Sequence, residues 1–300
     1  MKQLFAIIAI CIFHCSSAQT KPLATIPFEL KKNCIYFNCK INGSENLRFL
    51  FDTGANGSVI NEKSLSKVAL KIDGETMNVG SNGSNIVRTS SGNTVTLDGI
   101  VKPNIGLVII PYENADFDGV FGTDLMVGNI IEIDYRKSEL RFYDRPAYKN
   151  DLADYTKVKL YLPSNYLSIK GSITIKGKTY SGLFGLDTGA DNALIIASPF
   201  ASKHDLIHKT PKIGSSTSQG SDGSTYESPL VMLPEVAFGK KIFYSIPAEL
   251  SSSTEGADAV TDKAGFYGNS FLKRFNIVLD LDGGYIYLKP NKYLYTPFFD

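Results

Sequence analysis

The chain has 300 residues, and its 43% apolar content excludes an intrinsically disordered protein. The 31 basic and 30 acidic side chains nearly cancel, so the charge indicates neither nucleic acid nor an anionic surface as a partner. This length is sufficient for one large or two small hydrophobic cores.

The N-terminus is typical of a secretory signal peptide. Lys2 precedes an apolar run over residues 4–13, and Ser-Ser-Ala at residues 16–18 is a small-residue cleavage site. We therefore predict a signal peptide over residues 1–18 and a secreted or periplasmic protein. Removal of this segment takes Lys2 away and leaves equal numbers of acidic and basic side chains.

Stable membrane insertion is not expected. The apolar run over residues 4–13 is about half as long as a membrane-spanning helix, and no later segment approaches that length. A lipid anchor on Cys15 is disfavoured, because His14 stands where such anchors usually have a small residue.

The tetrapeptide Asp-Thr-Gly-Ala occurs twice, at residues 52–55 and 187–190. Apolar, strand-like runs precede both copies, "LRFLF" before Asp52 and "YSGLFGL" before Asp187. Each aspartate is therefore predicted to leave a buried strand and enter a tight turn that contains glycine.

The surroundings of the tetrapeptide repeat as well. Gly-Ser pairs follow at residues 80–81 and 214–215, then "DGVFG" at 118–122 and "AGFYG" at 264–268, each with a similar closing phrase. Landmarks in the same order in both halves indicate a duplicated pair of lobes.

We place the lobe boundary in the polar, Pro-containing segment 144–155. The predicted N-terminal lobe covers residues 19–148, and the C-terminal lobe covers residues 149–300.

The secondary structure is predicted to be mainly β. Runs such as "NCIYFNCKI" and "GYIYLKP" are rich in β-branched and aromatic residues and alternate in character. Short helices are expected at residues 62–68 and 199–207 and in the turns after Gly122 and Gly268. Cys34 and Cys39 are five residues apart in one strand, so their side chains should face opposite ways and stay unpaired, unless a turn intervenes.

The double Asp-Thr-Gly, each with a downstream hydrophobic-hydrophobic-Gly, resembles the pepsin and retropepsin group of aspartic proteases. These downstream segments are Val120, Phe121 and Gly122 in the first half and Phe266, Tyr267 and Gly268 in the second. The alanine after each glycine and the phrase "GNSFLKRFNIVLDLDGGYIYLKP" are most similar to bacterial retropepsin-like members. Several such members continue into a PDZ domain, which is not expected here because the sequence stops at Asp300.

The resemblance covers about residues 27–300 and implies the bilobal acid-protease fold, all-β with two barrel-like lobes, short helices and an inter-lobe cleft. It also implies an aspartic endopeptidase in which Asp52 and Asp187 activate water. Two carboxyl groups about 3 Å apart cannot both ionise, so one remains protonated as the acid while the other acts as the base. Because the proton belongs to a coupled pair, neither role is assigned to one residue.

The other motif residues are expected to support this dyad. Gly54 and Gly189 allow the sharp bend that brings amide N–H groups to the carboxylates. The resemblance implies that Thr53 and Thr188 hydrogen-bond across to the opposite turn. Ala55 and Ala190 replace a serine that is frequent in pepsin-like relatives and that lowers a catalytic pKa, so we expect activity at mildly acidic to near-neutral pH.

Two serine- and glycine-rich segments require interpretation. Residues 80–91 are a candidate flap over the substrate, with Gly80, Ser81 and Gly83 at its tip. Residues 213–225 have the composition of a flexible linker but match the flap segment in the repeat. Residues 251–259 have no counterpart in the first half and are predicted to be a surface loop.

The motifs also have interpretations other than catalysis. One Asp-Gly-rich turn is as often structural as catalytic, but two copies with matched downstream glycines favour the dyad. The alternative function is a catalytically silent peptide- or carbohydrate-binding protein on the same fold, although such proteins usually lose one aspartate. "HDLIH" at residues 204–208 resembles a zinc-binding helix but lacks the glutamate and a third ligand, so a solvated helix face is favoured and no metal or cofactor is expected.

The partner predicted for this chain is an extended peptide or an unfolded protein. Such a ligand would pair with strand edges in the cleft and place alternate side chains in apolar pockets. Because both half-sites lie in one chain, the protein is expected to be a monomer.

Overall fold

The structure, a computed structural model, describes residues 19–298, so the predicted signal peptide lies outside the described residues. Strands dominate this range. In chain order they are β1 (Ala24–Pro27), β2 (Glu29–Lys31), β3 (Cys34–Ile41), β4 (Leu47–Phe51), β5 (Ser58–Asn61), β6 (Gly74–Val79), β7 (Ser84–Leu97), β8 (Ile100–Ile110), β9 (Gly119–Phe121), β10 (Asn129–Asp134), β11 (Glu139–Asp144), β12 (Thr156–Lys159), β13 (Ser168–Ile175), β14 (Lys178–Asp187), β15 (Leu194–Ile196), β16 (Lys212–Gln219), β17 (Thr225–Phe238), β18 (Lys241–Leu250), β19 (Gly265–Gly268), β20 (Phe275–Asp280) and β21 (Tyr285–Pro290).

Helices are short and lie between the strands. The α-helices are α1 (Ser198–Lys203), α2 (Leu206–Lys209) and α3 (Asn269–Leu272), and 3-10 turns occupy Glu62–Lys67, Thr123–Leu125, Pro163–Asn165 and Ala257–Ala259. The helical turns predicted at residues 62–68 and after Gly122 and Gly268 are confirmed.

The predicted helix over residues 199–207 is wrong in one respect. Asp205 adopts a left-handed conformation with φ of 52°, which ends α1 before α2 begins. "HDLIH" therefore does not form one continuous helix face. His204 packs on the rings of Tyr180 and Phe200, whereas His208 pairs with Asp205 on the surface.

Each lobe is built on one sheet, and the two sheets have the same strand order except for the additional edge strand β2 in the first. The first-lobe sheet runs β2-β3-β4-β9-β5-β8-β7-β6, and the second-lobe sheet runs β13-β14-β19-β15-β18-β17-β16. Each sheet has one further pairing that closes the sheet on itself. This pairing joins β3 to β7 in the first lobe and β13 to β17 in the second. The duplication inferred from the repeated motifs is therefore present in the topology.

A third sheet joins the two halves. Its order is β1-β11-β10-β20-β21-β12, so β10 of the first half pairs directly with β20 of the second. Ile131 and Leu279 pair across this junction and are fully buried. Burial of each such side chain stabilises the fold by about 1.5–3 kcal/mol, which links the lobes through a continuous hydrophobic core.

Residues 145–155 lie between β11 and β12 and contain no strand or helix. The lobe boundary proposed for this region remains a prediction. In β3, Cys34 and Cys39 are both buried and free of any disulfide, as the sequence predicted. No helix in the described part of the chain is long and apolar enough to cross a membrane.

Candidate active site

Each Asp-Thr-Gly-Ala segment forms a turn at the end of a central strand. β4 ends directly before Asp52, and β14 ends at Asp187. Each of these strands runs parallel to a strand with the hydrophobic-hydrophobic-Gly sequence: Phe51 is in register with Phe121, and Asp187 with Gly268. The two aspartates therefore leave their sheets at equivalent positions.

The glycines behind each turn lie very close to neighbouring backbone. A Cβ at Gly122 would be 2.5 Å from the carbonyl oxygen of Gly57, and a Cβ at Gly268 would be 2.3 Å from that of Asn192. The other members of the two segments are buried beside the turns: Val120, Phe121, Phe266 and Tyr267. Both segments therefore pack closely behind the turns.

The two threonines lock the turns together by reciprocal hydrogen bonds. The N–H of Thr53 donates to Thr188 Oγ1 at 3.0 Å, and the N–H of Thr188 donates to Thr53 Oγ1 at 3.1 Å. Each hydroxyl then donates to the opposite strand, Thr53 to the carbonyl of Leu186 at 2.7 Å and Thr188 to that of Phe51 at 2.8 Å. Both threonines are almost fully buried, so this exchange fixes the separation of the turns.

Backbone amides hold one oxygen of each aspartate. Asp52 Oδ1 accepts from the N–H groups of Gly54 at 2.7 Å and Ala55 at 3.2 Å. Asp187 Oδ1 accepts from those of Gly189 at 2.9 Å and Ala190 at 3.0 Å.

The two carboxyl groups are also held against each other. They hydrogen-bond directly. A Cβ at Gly54 would lie only 2.6 Å from Asp187 Cγ, and one at Gly189 only 2.5 Å from Asp52 Cγ. Each glycine therefore packs against the carboxyl of the opposite turn, and no larger residue fits there without displacing it.

The environment favours retention of a proton by this pair. Burial raises the pKa of Asp52 above its ordinary value, although the N–H groups of Gly54 and Ala55 oppose the shift. Burial and the negative charge of Asp52 raise the pKa of Asp187 well above its ordinary value. One carboxyl can therefore stay protonated while the other is ionised, which is the condition for acid and base catalysis by one pair.

Each lobe sheet also carries a hairpin. The first hairpin consists of β6 and β7 with a tip at residues 80–83, and the second consists of β16 and β17 with a tip at residues 220–224. The candidate flap residues Gly80, Ser81 and Gly83 lie in the first tip, and the hairpin begins earlier than predicted, at Gly74. The segment around residues 213–225 is a hairpin too, not the linker that its composition suggests.

The tips of the two hairpins contact each other. Ser221 Oγ donates to Asn78 Oδ1 at 3.3 Å, and Asn82 Nδ2 donates to Ser224 Oγ at 3.5 Å. The Oδ1 atom of Asp222 would lie 1.9 Å from a Cβ at Gly80, so the contact requires glycine at that position.

The prediction of a surface loop at residues 251–259 is wrong. Ser253 and Asp258 are each 2% exposed, and the segment receives the first hairpin tip. The N–H groups of Ala257 and Asp258 donate to the carbonyls of Gly80 at 2.9 Å and Ser81 at 3.1 Å. Serine- and glycine-rich composition indicated solvent exposure, but these backbone donors are used to hold the hairpin.

Comparison with known proteins agrees with this architecture. Residues 37–125 match a family model described as aspartyl protease. The aspartic proteinase from Irpex lacteus superposes with a TM-score of 0.55 at 16% sequence identity, over 91% of this chain and 98% of that protein. The first half of the chain is therefore similar to aspartyl proteases in sequence, and the described chain is similar to an aspartic proteinase in fold. A search of curated proteins found no match.

Motif reasoning did not identify four further side chains of this region. Tyr112 and Tyr166 are close enough that the charge of Asp52 contributes to their raised pKa values, after burial as the main cause. Glu249 and Lys263 are buried in the second lobe. None belongs to a motif, and only alignment of the two halves residue by residue could have identified them.

Proposed function

We propose that this chain is an aspartic endopeptidase that hydrolyses peptide bonds with water activated by Asp52 and Asp187. The observation that carries the proposal is the reciprocal locking of two Asp-Thr-Gly turns, which presses each carboxyl against the opposite turn glycine. A non-catalytic binding protein would have no need for two carboxyl groups in this arrangement.

The proposed reaction begins with water between the two carboxyl groups. The ionised carboxyl takes a proton from the water while the protonated one donates to the carbonyl oxygen of the scissile bond. Water attacks the carbonyl carbon, and a proton then passes to the leaving nitrogen as the bond to it breaks. The four backbone N–H groups on Asp52 and Asp187 keep the carboxyls oriented without cost at the moment of reaction.

The proposed substrate is an extended peptide lying between the aspartates and the two hairpins. The tips of the hairpins touch, so entry of a peptide requires them to separate or a chain to thread beneath them. An unfolded protein can satisfy that geometry, whereas a folded surface cannot. This restriction favours flexible peptide substrates.

Cleavage of an unfolded protein such as reduced casein tests the proposal. Wild type should cleave it, and Asp52→Asn and Asp187→Asn should each lose activity by about a thousandfold or more, since removal of one catalytic member disables the unit. Asp98→Asn, an exposed aspartate in the turn between β7 and β8, is the matched control and should cleave like wild type. Equal cleavage by all variants would refute the dyad, and peptide binding without cleavage by wild type would favour the binding-protein alternative.

We also propose that the protein acts as a secreted or periplasmic monomer. Support comes from the signal-like N-terminal sequence and from the presence of both Asp-Thr-Gly turns in one chain. Cell fractionation with sizing of the active fraction tests both statements, and activity confined to a dimer would contradict the second.

A further inference from the structure

Each lobe has a cluster of side chains beside its Asp-Thr-Gly turn, which is called its pocket below, and strand register identifies the equivalent residues of the two clusters. Val108 on β8 pairs with Val59 on β5, and Glu249 on β18 pairs with Ile195 on β15. Both β5 and β15 also pair with the strand behind the aspartate. Val108 and Glu249 therefore occupy the same position in the two lobes.

The first-lobe pocket, defined by Ala55, Val59, Val87, Val108, Ile110 and Tyr112, is apolar. Val59, Val87 and Ile110 are buried in one cluster against which Ala55, Val108 and Tyr112 pack. Ala55 belongs to the Asp52 turn, so this cluster lies directly beside the carboxyl pair. An apolar substrate side chain would find only hydrocarbon and aromatic surface here.

The second-lobe pocket has polar residues at the equivalent positions. The pairing of β17 with β18 in the second lobe corresponds to the pairing of β7 with β8 in the first. When the two pairings are aligned, Ser228 stands at the position of Val87, Glu249 at that of Val108 and Ser251 at that of Ile110. All three polar residues are buried. The two lobes therefore share the backbone of this pocket, but its floor is apolar in the first lobe and polar in the second.

Glu249 is the centre of this polar floor. Its carboxylate accepts from Ser218 Oγ at 3.1 and 3.0 Å, and the side chains of Ser216, Ser228 and Asn192 lie close enough to lower its pKa. Ser216 and Ser218 lie on β16 of the second hairpin, so the hairpin holds the carboxylate in the floor. Burial raises the pKa of Glu249 despite these donors.

The polar character continues toward the aspartates. Asp258 is close enough to Glu249 for their charges to interact, and the charges of both Asp258 and the Asp52–Asp187 pair help to raise the pKa of Tyr166, after burial as the main cause. Lys263 lies 3.6 Å from the centroid of the Tyr166 ring. Its ammonium is buried and has no hydrogen-bond partner among the described residues. It is therefore an unpaired hydrogen-bond donor at this site.

We propose that the enzyme takes an apolar side chain on the first-lobe side of the scissile bond and a hydrogen-bonding side chain on the second-lobe side, with Glu249 as the residue that sets this difference. The inference rests on the proposed function. The two pockets are related by the same symmetry as the two turns, so they receive residues from opposite sides of the bond.

The physical reason is the asymmetric cost of unpaired polar groups. An apolar side chain pressed against Glu249 and its serines would displace water without replacing its hydrogen bonds, whereas an amide, hydroxyl or charged side chain can replace them. In the first-lobe pocket the preference reverses, because a polar side chain would lose its own hydrogen bonds to water there.

The test uses two peptide series with a single scissile bond. Each keeps leucine on one side of the bond and varies the other side among leucine, glutamine, lysine and glutamate, and the two series exchange the sides. For wild type, one of the two series should contain a mixed apolar–polar peptide with a kcat/KM at least about tenfold higher than that of the peptide with leucine on both sides. The other series, in which the sides are exchanged, should show no such increase. Highest activity with leucine on both sides would overturn the proposal.

Substitutions at the equivalent positions assign the effect to Glu249. Glu249→Val, which copies the first-lobe residue, should reduce the preference by about tenfold or more, whereas Glu249→Gln should keep the preference ratio within about threefold. Val108→Gln, at a half-buried position, should make the first-lobe side accept glutamine and keeps the test decisive if Glu249→Val does not fold. An unchanged ratio in Glu249→Val or in Val108→Gln would contradict the assignment.

Failure of the proposed function would be distinguishable from failure of this inference. Binding of the same peptides, labelled with a fluorophore, to Asp187→Asn reports the pocket without any cleavage. Selective binding of the mixed peptide with no cleavage by wild type would keep the pocket assignment and reject the protease. Cleavage by wild type with equal binding of all peptides would do the opposite.

Discussion

The two Asp-Thr-Gly turns are nearly interchangeable, whereas the two pockets beside them are not. The turns exchange the same hydrogen bonds in both directions, with lengths that agree within 0.1 Å. The pockets share a backbone, yet Val108 in one stands where Glu249 stands in the other. The difference teaches that the shared chemistry requires both halves to be alike, while recognition of an asymmetric peptide does not.

The largest expected effect tests the symmetry of the turns. Gly54→Ala and Gly189→Ala each introduce a Cβ within 2.6 Å of the opposite carboxyl carbon, so one aspartate must move. A displacement of about 1 Å costs on the order of a hundredfold in rate, and loss of the shared proton costs more, so we expect about a thousandfold loss of kcat/KM for each. The two losses should agree within about tenfold.

Gly57→Ala is the matched control for this pair, because nothing lies within 4 Å of a Cβ there. It should retain wild-type kcat/KM and thermal stability. A large loss in only one of the two turn variants would show that the halves are not equivalent in catalysis.

Loss of the reciprocal hydrogen bonds between the two threonines should have the next largest effect. Thr53→Val and Thr188→Val keep the shape but remove a hydroxyl that accepts one buried hydrogen bond and donates another. Each variant should lose about 2–4 kcal/mol in free energy of unfolding, because the opposite N–H and carbonyl are left unpaired. Chemical denaturation measures the loss, and serine at either position should restore most of it.

Residue patterns predicted the symmetric part of this molecule far better than the asymmetric part. Asp52, Asp187 and the glycines around them were identifiable because their chemistry requires those residue types at fixed spacing. The duplication of the lobes followed from the repeated motifs. Glu249 belongs to no motif, since a carboxylate within a strand acquires its role only from the serines that the hairpin brings to it.

Two errors have local physical causes. The helix over residues 199–207 breaks because Asp205 adopts a left-handed conformation, which aspartate tolerates and which sequence periodicity does not reveal. Residues 251–259 are polar because their backbone and Ser253 bind the first hairpin tip. Composition alone cannot distinguish polar groups that face water from polar groups that face another segment.

The pH profile sharpens the comparison between the two aspartates. Activity requires one carboxyl protonated and one ionised, and the pKa values of both are raised by burial. The acid limb of kcat/KM should therefore lie above the ordinary range of an aspartate, and activity should fall about tenfold per pH unit beyond either limb. A maximum at mildly acidic to near-neutral pH is expected.

Serine substitution at the fourth motif position tests the cause of this profile. Ala55→Ser and Ala190→Ser supply a hydroxyl that can donate to a carboxylate and favour its ionised form, so the acid limb should move to lower pH. A wild-type maximum only in strongly acidic solution would contradict the expectation.

The smallest expected effect concerns Asp258, which belongs to the polar side of the comparison and has no counterpart in the first-lobe pocket. Burial raises its pKa to about 6, although Tyr226 donates a hydrogen bond to it. Between pH 4 and 6 the folded chain therefore binds more protons at this site than the unfolded chain, so stability falls as pH rises through this window, by up to about 3 kcal/mol. Asp258→Asn keeps an acceptor for Tyr226 and removes the titration.

The variant should therefore match wild type near pH 4 and become progressively more stable than wild type up to pH 6, with a constant difference above that. Asp262→Asn, an exposed neighbour in the same segment, controls for the loss of one negative charge. Urea unfolding at pH 4, 5, 6 and 7 measures the difference for both variants. A difference between Asp258→Asn and wild type that does not change with pH would mean that Asp258 is ionised throughout this range, and that the polar pocket tolerates a full negative charge beside Glu249.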